Sequence, residues 1–432
     1  GFDAHNLVGT SIDQFHSNPS HQHRVLADPT NGTLTLNADG SGSLTEMAEA
    51  CSTIHPVVDR GPDDMAALLY SSGTTGRPKG VVHATGGYMV GTNYLSRAFY
   101  QIQERDIYWS TSDIGWIVGH SFIVYGPLSV GATVLCREGV PDFPSPDVTW
   151  ELCERFGVNV MFTAPTAFRA IKKEDPDGVL LKDYDLSCLE TVFAAGERLD
   201  PPTYEWMVEK IGRPVIDHWW QTETGWAIAA NMVGIEPMPV KPGSATVPVP
   251  GYDVQILDDS GNPLPANRQG NIAIRLPLPP SCLATIWGDL DRFKSGYLET
   301  FPGYYVSGDG GYFDDDGYLF VMGRIDDVIN VAGHRLSTGE MEEIVGMHPA
   351  VAECAVIGRD DDLKGQMPLG FVVLKSGVEM DHDELVAELV QLVRKEIGAV
   401  ACFKEAHVVP RLPKTRSGKT LRKTIKQIVN GH

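Results

Sequence analysis

The sequence predicts an α/β protein: a large N-terminal core with mainly parallel sheet, followed by a small C-terminal α+β domain. Three observations carry this. From residue 63 to about 324, short apolar runs alternate with helix-like stretches, and strands separated by helices imply a largely parallel sheet. After Arg324 the grain changes to a compact mixture of strand-like and helix-like stretches. The length, 432 residues with 42% hydrophobic side chains, is more than one compact domain usually holds and enough for a sizeable core. The expected division is an atypical N-terminal segment (1–60), a core (61–325) and a C-terminal domain (326–432).

Taken in order, residues 1–60 are polar and turn-rich, with a short strand expected at 33–36 and a short helix near 44–50. In the core, "ATVLC", "NVMFTA", "TVFAAG", "PVIDHWW" and "NIAIRL" read as buried strands. "DVTWELCERFG" and "DPPTYEWMVEKIG" read as helices. The second opens on Asp200 as N-cap, continues with Pro201 and Pro202, and stops at Gly212. Beyond residue 324, "GEMEEIVGMHP", "VAECAVIG", "PLGFVVLK", "DHDELVAELVQLVRKEIG" and "KEAHVVP" give the α+β pattern. Leu385, Leu389, Leu392 and Val393 fall on one face of a helix over 383–397.

The formal charge of −21 argues against non-specific binding to nucleic acid or an anionic membrane. It leaves room for an anionic ligand at a local positive site. Seven scattered cysteines with no CxxC pair read as reduced thiols in a reducing compartment. With no apolar run of spanning length and no signal-peptide pattern, a cytoplasmic location is expected, or the mitochondrial matrix if a targeting segment was lost.

Residues 69–83 read "LYSSGTTGRPKGVVH". Gly73, Gly76 and Gly80 permit close backbone approach, and successive free N–H groups form an anion-binding nest. Ser71, Ser72, Thr74 and Thr75 add hydroxyl donors, and Lys79 adds a charge. It is not a Walker loop, because Pro78 precedes the lysine and no Gly-Lys-Ser/Thr opens a helix. Alone, the stretch is either a flexible connection or a phosphate loop.

Three downstream stretches decide between them: "WWQTETG" (219–225), "YYVSGDGGYFDDDGYLFVMGRIDDVINVAGHRLSTGEMEE" (304–343) and "LPKTRSGKTLRK" (412–423). Together, and in this order, the four stretches resemble the motifs of the adenylate-forming superfamily. "TSDIGWIVGHSFIVYGPLSVGATVLCREG" narrows the resemblance to its acetyl-CoA and propionyl-CoA synthetase branch. The resemblance covers residues 61–432 and implies an adenylation core followed by a mobile domain. It implies ATP, Mg2+ and coenzyme A as cofactors and cosubstrates, and a free short carboxylic acid as substrate. No nucleic-acid or membrane partner is expected.

The resemblance also implies roles. Ser71, Ser72, Gly73, Thr74, Thr75, Gly76 and Lys79 would hold the β- and γ-phosphates. Glu223 would bind magnesium, as a hard oxygen donor, and Thr222 would face the α-phosphate. Asp309 would accept the two ribose hydroxyls. Gly196, Glu197 and Arg198 match the adenine-side segment, although Arg198 stands where the family often has proline. Asp217, His218, Trp219, Gln221, Arg324 and Arg335 complete the nucleotide site. Lys419 is the decisive catalytic residue, with Thr222 and Glu223, bridging the substrate carboxylate and the α-phosphate. Asp326 is the hinge. Ala332 and Gly333, in the 331–335 segment, would line a thiol tunnel, and Arg394 would meet a CoA phosphate.

Trp220 would close a short acid pocket, faced by Ile117 and Val118. Ala195 replaces the valine usual in acetate-specific relatives. A methylene is worth about 1–3 kcal/mol in pocket discrimination, so propionate is expected to be favoured over acetate. Two alternatives stay open: an adenylation enzyme that loads a carrier protein, and an inactive or partner-dependent nucleotide-binding fragment. The second arises because fewer residues precede the phosphate loop than in family members. A homo-oligomer, or a partner covering the shortened core, is the matching expectation.

Overall fold

A seven-stranded sheet organises the core of the computed structural model, which describes residues 59–71, 78–137, 139, 143–331, 334–361, 363–414 and 420–431. The chain divides into units Gly1–Arg60 and Gly61–His432, and every described strand and helix belongs to the second. The elements expected at 33–36 and 44–50 lie outside the described residues.

The unit begins with β1 (Met65–Ser71) and β2 (Lys79–Ala84), an antiparallel pair. Their register sets Ser71 opposite Lys79, so the two ends of the Gly/Ser/Thr stretch are pinned side by side. Helix α1 (Thr85–Ala98) follows directly. The large sheet is then built from β3 (Ile107–Ser110), β4 (Thr133–Leu135), β5 (Val160–Thr163), β6 (Thr191–Ala194), β7 (Val215–Trp220), β8 (Ala227–Ala230) and β9 (Val247–Pro248). Its order is β4-β3-β5-β6-β7-β8-β9. The pairings from β4 to β7 are parallel, and β8 and β9 are antiparallel additions.

Helices α2 (Val148–Phe156), α3 (Pro165–Glu174) and α4 (Pro201–Ile211) supply the crossovers. Parallel strands covered on both faces need apolar side chains on both, and the register delivers them in rows. Met161, Val192 and Val215 line up and face Trp150, Cys153, Trp206 and Met207. Phe162, Phe193 and Ile216 form the next row and face Phe99, Tyr100 and Phe122. Asp200 caps α4, accepting from the Thr203 amide at 2.9 Å, and Gly212 ends it at φ +66°, as the sequence predicts.

"NIAIRL" departs from expectation. It forms β11 (Gly270–Arg275), which belongs to a separate antiparallel sheet with β10 (Val254–Leu257), β13 (Tyr304–Phe313) and β14 (Leu319–Arg324). A short apolar run marks a buried strand but carries no information about which sheet it joins. β12 (Thr285–Ile286) pairs with β2, and α5 (Leu290–Tyr297) leads from it towards β13.

A single turn, Ile325–Asp327, leads from β14 into the C-terminal part. There β15 (Ile329–Val331), β16 (His334–Leu336), β17 (Val351–Asp361) and β18 (Gly365–Leu374) form the order β16-β15-β18-β17, and β19 (Glu405–Val408) runs parallel to β18. Helices α6 (Thr338–Gly346), α7 (His382–Glu396) and α8 (Arg422–Val429) complete it. Leu385, Leu389 and Val393 are the buried face of α7, with Leu392 at its margin.

Asp200 serves both the α4 cap and an ion pair with Arg169 at 3.0 Å. Asp200→Ala is expected to lower unfolding free energy by about 1–3 kcal/mol, from cap and pair together. Asp200→Asn, which keeps the cap acceptor, should cost less; urea denaturation of the two variants checks the order.

Candidate active site

The turn between β7 and β8 holds "WWQTETG". Gly225 has φ +73°, and a Cβ there would stand 2.8 Å from the Tyr88 ring and 3.0 Å from the His83 ring, so both backbone and space demand glycine. The turn closes through the Thr224 and Gly225 amides on the Gln221 carbonyl, at 3.2 and 3.1 Å. Ser121 donates to the Gly225 carbonyl at 2.6 Å, tying in the helical stretch over 117–129.

This tight turn tucks Glu223 inward, leaving it 8% exposed. Lys79, at the start of β2, places Nζ 2.6 Å from Oε1. Tyr297, at the end of α5, donates its hydroxyl to the same oxygen at 2.6 Å. The ammonium also contacts the Tyr297 hydroxyl and lies 4.8 Å from the ring centroid. Burial pushes the Glu223 carboxyl up, but the Lys79 charge and the hydrogen bonds from Lys79 and Tyr297 outweigh it and hold the group below its ordinary value. His83 is kept neutral by burial, and its Nε2 donates to the Thr222 carbonyl at 2.8 Å. Ser71 Oγ, at the other end of the Gly/Ser/Thr stretch, is buried with no hydrogen-bond partner among the described residues.

A second carboxylate, Asp309, lies buried on β13. Gln221 reaches it from the turn at 2.5 Å and also donates to the Ser307 carbonyl at 2.8 Å. Tyr305 donates to Gln221 Oε1 at 2.9 Å, so the amide is oriented from both ends. Arg324, opposite Asp309 in the β13–β14 register, stands 3.5 Å from its carboxylate and donates to Ser307 at 2.9 Å. Gln221, Asp309 and Arg324 are therefore brought together, next to the Glu223 turn.

The Gly196–Glu197–Arg198 loop follows β6. Glu197 accepts from Thr166 at 2.6 Å and pairs with Arg169 at 2.9 Å. Burial opposes its ionisation, yet Arg169 and Thr166 hold the carboxyl below its ordinary value. Arg198 turns the other way, into an ion pair with Glu343 of α6. Asp217 and His218 on β7 are core groups. Burial pushes the Asp217 carboxyl up to about 8, against hydrogen bonds from the Leu199 and His218 amides. Burial pushes His218 down to about 3, and its Nε2 shares a 2.9 Å hydrogen bond with the Tyr100 hydroxyl.

The four acid-pocket candidates converge. Trp220 packs edge-on against Phe122 at 5.4 Å and lies nearly parallel to His218 at 6.5 Å. It joins Ile117 in one apolar cluster and Ala195 and Val118 in another. Trp219, next to it, faces the second cluster as well. Arg394 is exposed on the last turn of α7.

Ser72, Gly73, Thr74, Thr75, Gly76, Ala332, Gly333 and Lys419 lie outside the described residues, as do the side chains of Asp326 and Arg335. Sequence reading missed Tyr297, Arg169 and Tyr305. Tyr305 sits inside the 304–343 stretch. Tyr297 and Arg169 act only through distant partners, for which local sequence carries no signal.

The sequence and the fold have counterparts among known proteins. The family described as "AMP-binding enzyme" matches residues 6–279, and "AMP-binding enzyme C-terminal domain" matches residues 340–419. The chain belongs to the AMP-binding enzyme family. The family match begins inside the segment that sequence reading set apart. An uncharacterized protein of Pseudomonas aeruginosa is 55% identical over 85% of this chain and 59% of its own length. The mouse protein named acyl-CoA synthetase short-chain family member 3, mitochondrial, is 48% identical over 89% of this chain and 57% of its own. The acetyl-coenzyme A synthetase of Rubrobacter xylanophilus is 46% identical over 87% of this chain and 58% of its own. The chain thus spans less than two thirds of the curated relatives it matches. Among solved structures, an anthranilate CoA ligase in complex with anthranoyl-AMP superposes with a TM-score of 0.79 at 27% identity, covering 90% of this chain and 72% of that one.

Asp217 and His218 generate a pH prediction. A carboxyl that keeps its proton to about 8 against an ordinary 3.8 makes stability fall as pH rises through that window. A histidine that stays neutral down to about 3 against an ordinary 6.5 makes stability rise with pH below 6.5. Between pH 6.5 and about 8 only the Asp217 effect remains, with a limiting slope of about 1.4 kcal/mol per pH unit. Asp217→Asn is expected to flatten this decline, measured by urea denaturation across that interval.

Proposed function

We propose that this chain carries the machinery of an AMP-forming short-chain acyl-CoA synthetase, which activates a short carboxylic acid with ATP and passes the acyl group to coenzyme A. The observation that carries this reading is the buried Lys79–Glu223–Tyr297 cluster at the mouth of the Gly/Ser/Thr stretch, with the Gln221–Asp309–Arg324 group beside it. One cluster suits the pyrophosphate end of a nucleotide and the other its ribose. The names of the curated relatives and the acyl-adenylate in the anthranilate CoA ligase support the same chemistry.

The donor set fits magnesium rather than zinc. Among the described residues no group of three or more His, Cys, Asp or Glu converges on a point, so a resident all-protein site is not supported. A single ionised carboxylate beside a phosphate loop suits Mg2+, which keeps waters and takes phosphate oxygens. Lys79 and Tyr297 both contact Oε1 of Glu223, and the Ser71 hydroxyl, without a hydrogen-bond partner among the described residues, adds an oxygen at the loop. When bound there, the ion would neutralise charge on the β- and γ-phosphates.

In the first half-reaction the acid's carboxylate oxygen bonds to the α-phosphorus, and the bond to the departing pyrophosphate breaks. The protein's share is positioning and positive charge. Ser71, Ser72, Gly73, Thr74, Thr75, Gly76 and Lys79 cradle the leaving phosphates. Thr222 faces the α-phosphate, its carbonyl fixed by His83. Lys419 bridges acid and α-phosphate and stabilises the charge that builds between them. Gly196 and Glu197 flank the base, Asp309 takes the ribose hydroxyls, and Arg324 and Arg335 complete the site. In the second half-reaction the CoA thiolate sulfur attacks the acyl carbon and AMP leaves. The two-domain division at Asp326 allows the C-terminal part to present Lys419 first and Ala332–Gly333 afterwards, with Arg394 meeting a CoA phosphate.

The acid specificity follows from Trp220, packed on Phe122 and His218, which ends the pocket for long chains. Ala195 leaves more room than valine would, so propionate is favoured over acetate. Acid-dependent ATP–pyrophosphate exchange with acetate, propionate and butyrate tests this. Propionate is expected to lead, and Ala195→Val to shift the propionate/acetate ratio of kcat/KM towards acetate by about 10-fold. Lys419→Ala should abolish exchange far more than thioester formation from supplied acyl-AMP. Absence of exchange with every acid, from folded protein, overturns the enzymatic reading, and acetate preference overturns the Ala195 argument.

A further inference from the structure

The residue that departs from the family pattern, Arg198, is the large-domain end of a chain of charges that reaches Arg422 at the start of α8. Its guanidinium pairs with Glu343 on α6, and Nε lies 3.4 Å from the Gly243 carbonyl, so it is held from two sides. The next residue on α6, Glu342, grips Arg422 in a fork: Nε to Oε1 at 2.8 Å and Nη2 to Oε2 at 2.6 Å. Glu342 is itself fixed by the Val356 amide at 2.9 Å. Arg422 opens α8 two residues after Thr420, and Thr420 bridges back to Lys414. Glu342 and, more weakly, Asp327 and Glu197 all favour the charged state of Arg422, so this guanidinium senses the same loop that carries Arg198.

We propose that Arg198–Glu343 and Glu342–Arg422 act as one positioning relay, which seats α6 on the Gly196–Arg198 loop and thereby fixes Arg422, three residues after Lys419, for the adenylation half-reaction. Arg198 is thus a positioning residue rather than a nucleotide ligand. The inference rests on the proposed function for its catalytic consequence, but not for its structural one. Charge pairs suit a contact that must be made and released: water repays much of their mutual attraction when they part, whereas an apolar seam of similar size resists opening. Adjacent glutamates on one helix turn, each held by an arginine from a different domain, transmit the seating of α6 to α8 without any contact between Arg198 and Arg422.

The test uses the 432-residue chain with Arg198→Glu, Glu343→Arg and the swapped double variant. Two readouts are followed. ATP–pyrophosphate exchange with propionate reports adenylation, and thioester formation from supplied propionyl-AMP reports the second half-reaction. Each single variant is expected to lower exchange kcat by about tenfold, within the range of inter-domain couplings, and to lower it several times more than thioester formation. The swap should restore most of the loss. Hydrogen exchange of the amides in 243–246 and 338–346 gives a readout independent of activity: protection falls in each single variant and returns in the swap. Equal loss of both half-reactions, a raised KM for ATP with unchanged kcat, or failure of the swap to restore protection overturns the relay. Should the wild type show no exchange, the proposed function fails, while the protection pattern still decides whether Arg198 and Glu343 seat α6.

Discussion

An ionised carboxylate can be buried only where something meets its charge, and Glu223 is met by Lys79 and Tyr297. Stripping one partner from a buried ion pair costs about 3–5 kcal/mol, so these three side chains must arrive together. They come from β2, from the turn between β7 and β8, and from α5, which are otherwise remote in sequence. The constraint therefore joins the small β1–β2–β12 sheet to the large sheet and to the antiparallel sheet beyond α5. Gly225 is what lets the turn come close enough, lying against Tyr88 and His83 where no side chain fits.

From this point the surrounding chemistry is ordered by polarity. On one side lie hydroxyls, an ammonium and the Gln221–Asp309–Arg324 group. On the other lie Trp220, Phe122, Ile117 and Ala195, with His218 kept neutral among aromatic rings. A polar half and an apolar half meet at the end of β7. Under the proposed function, that is where an acid and a nucleotide would meet, and strand ends in parallel sheets are the usual place for ligands.

The alternation of apolar runs with helices made the large sheet legible, because strands buried on both faces have no polar side to hide. The α4 cap and stop were equally legible, since Asp200 and Gly212 act through their own backbone neighbours. "NIAIRL" was legible as a strand but not as a member of the antiparallel sheet, because pairing partners are set by tertiary packing. Glu223, Asp309, Gln221 and Trp220 were singled out through motifs. Tyr297 and Arg169 were not, because each matters only for what it touches far along the chain. Arg198 stands out in the sequence as a departure, yet its partner Glu343, 145 residues away, is visible only in three dimensions.

Magnesium-dependent nucleotide stabilisation tests the central role of Glu223 most directly. Thermal unfolding is compared for the wild type and Glu223→Gln, with ATP alone and with ATP plus Mg2+. A ligand that binds only the folded state raises stability by about 2.7 kcal/mol at a hundred times its Kd. The wild type is expected to gain clearly more from ATP with Mg2+ than from ATP alone. Glu223→Gln, folded as judged by circular dichroism, should lose that magnesium-dependent increment. An equal increment in the two proteins would contradict the assignment of Glu223 to the nucleotide–metal centre.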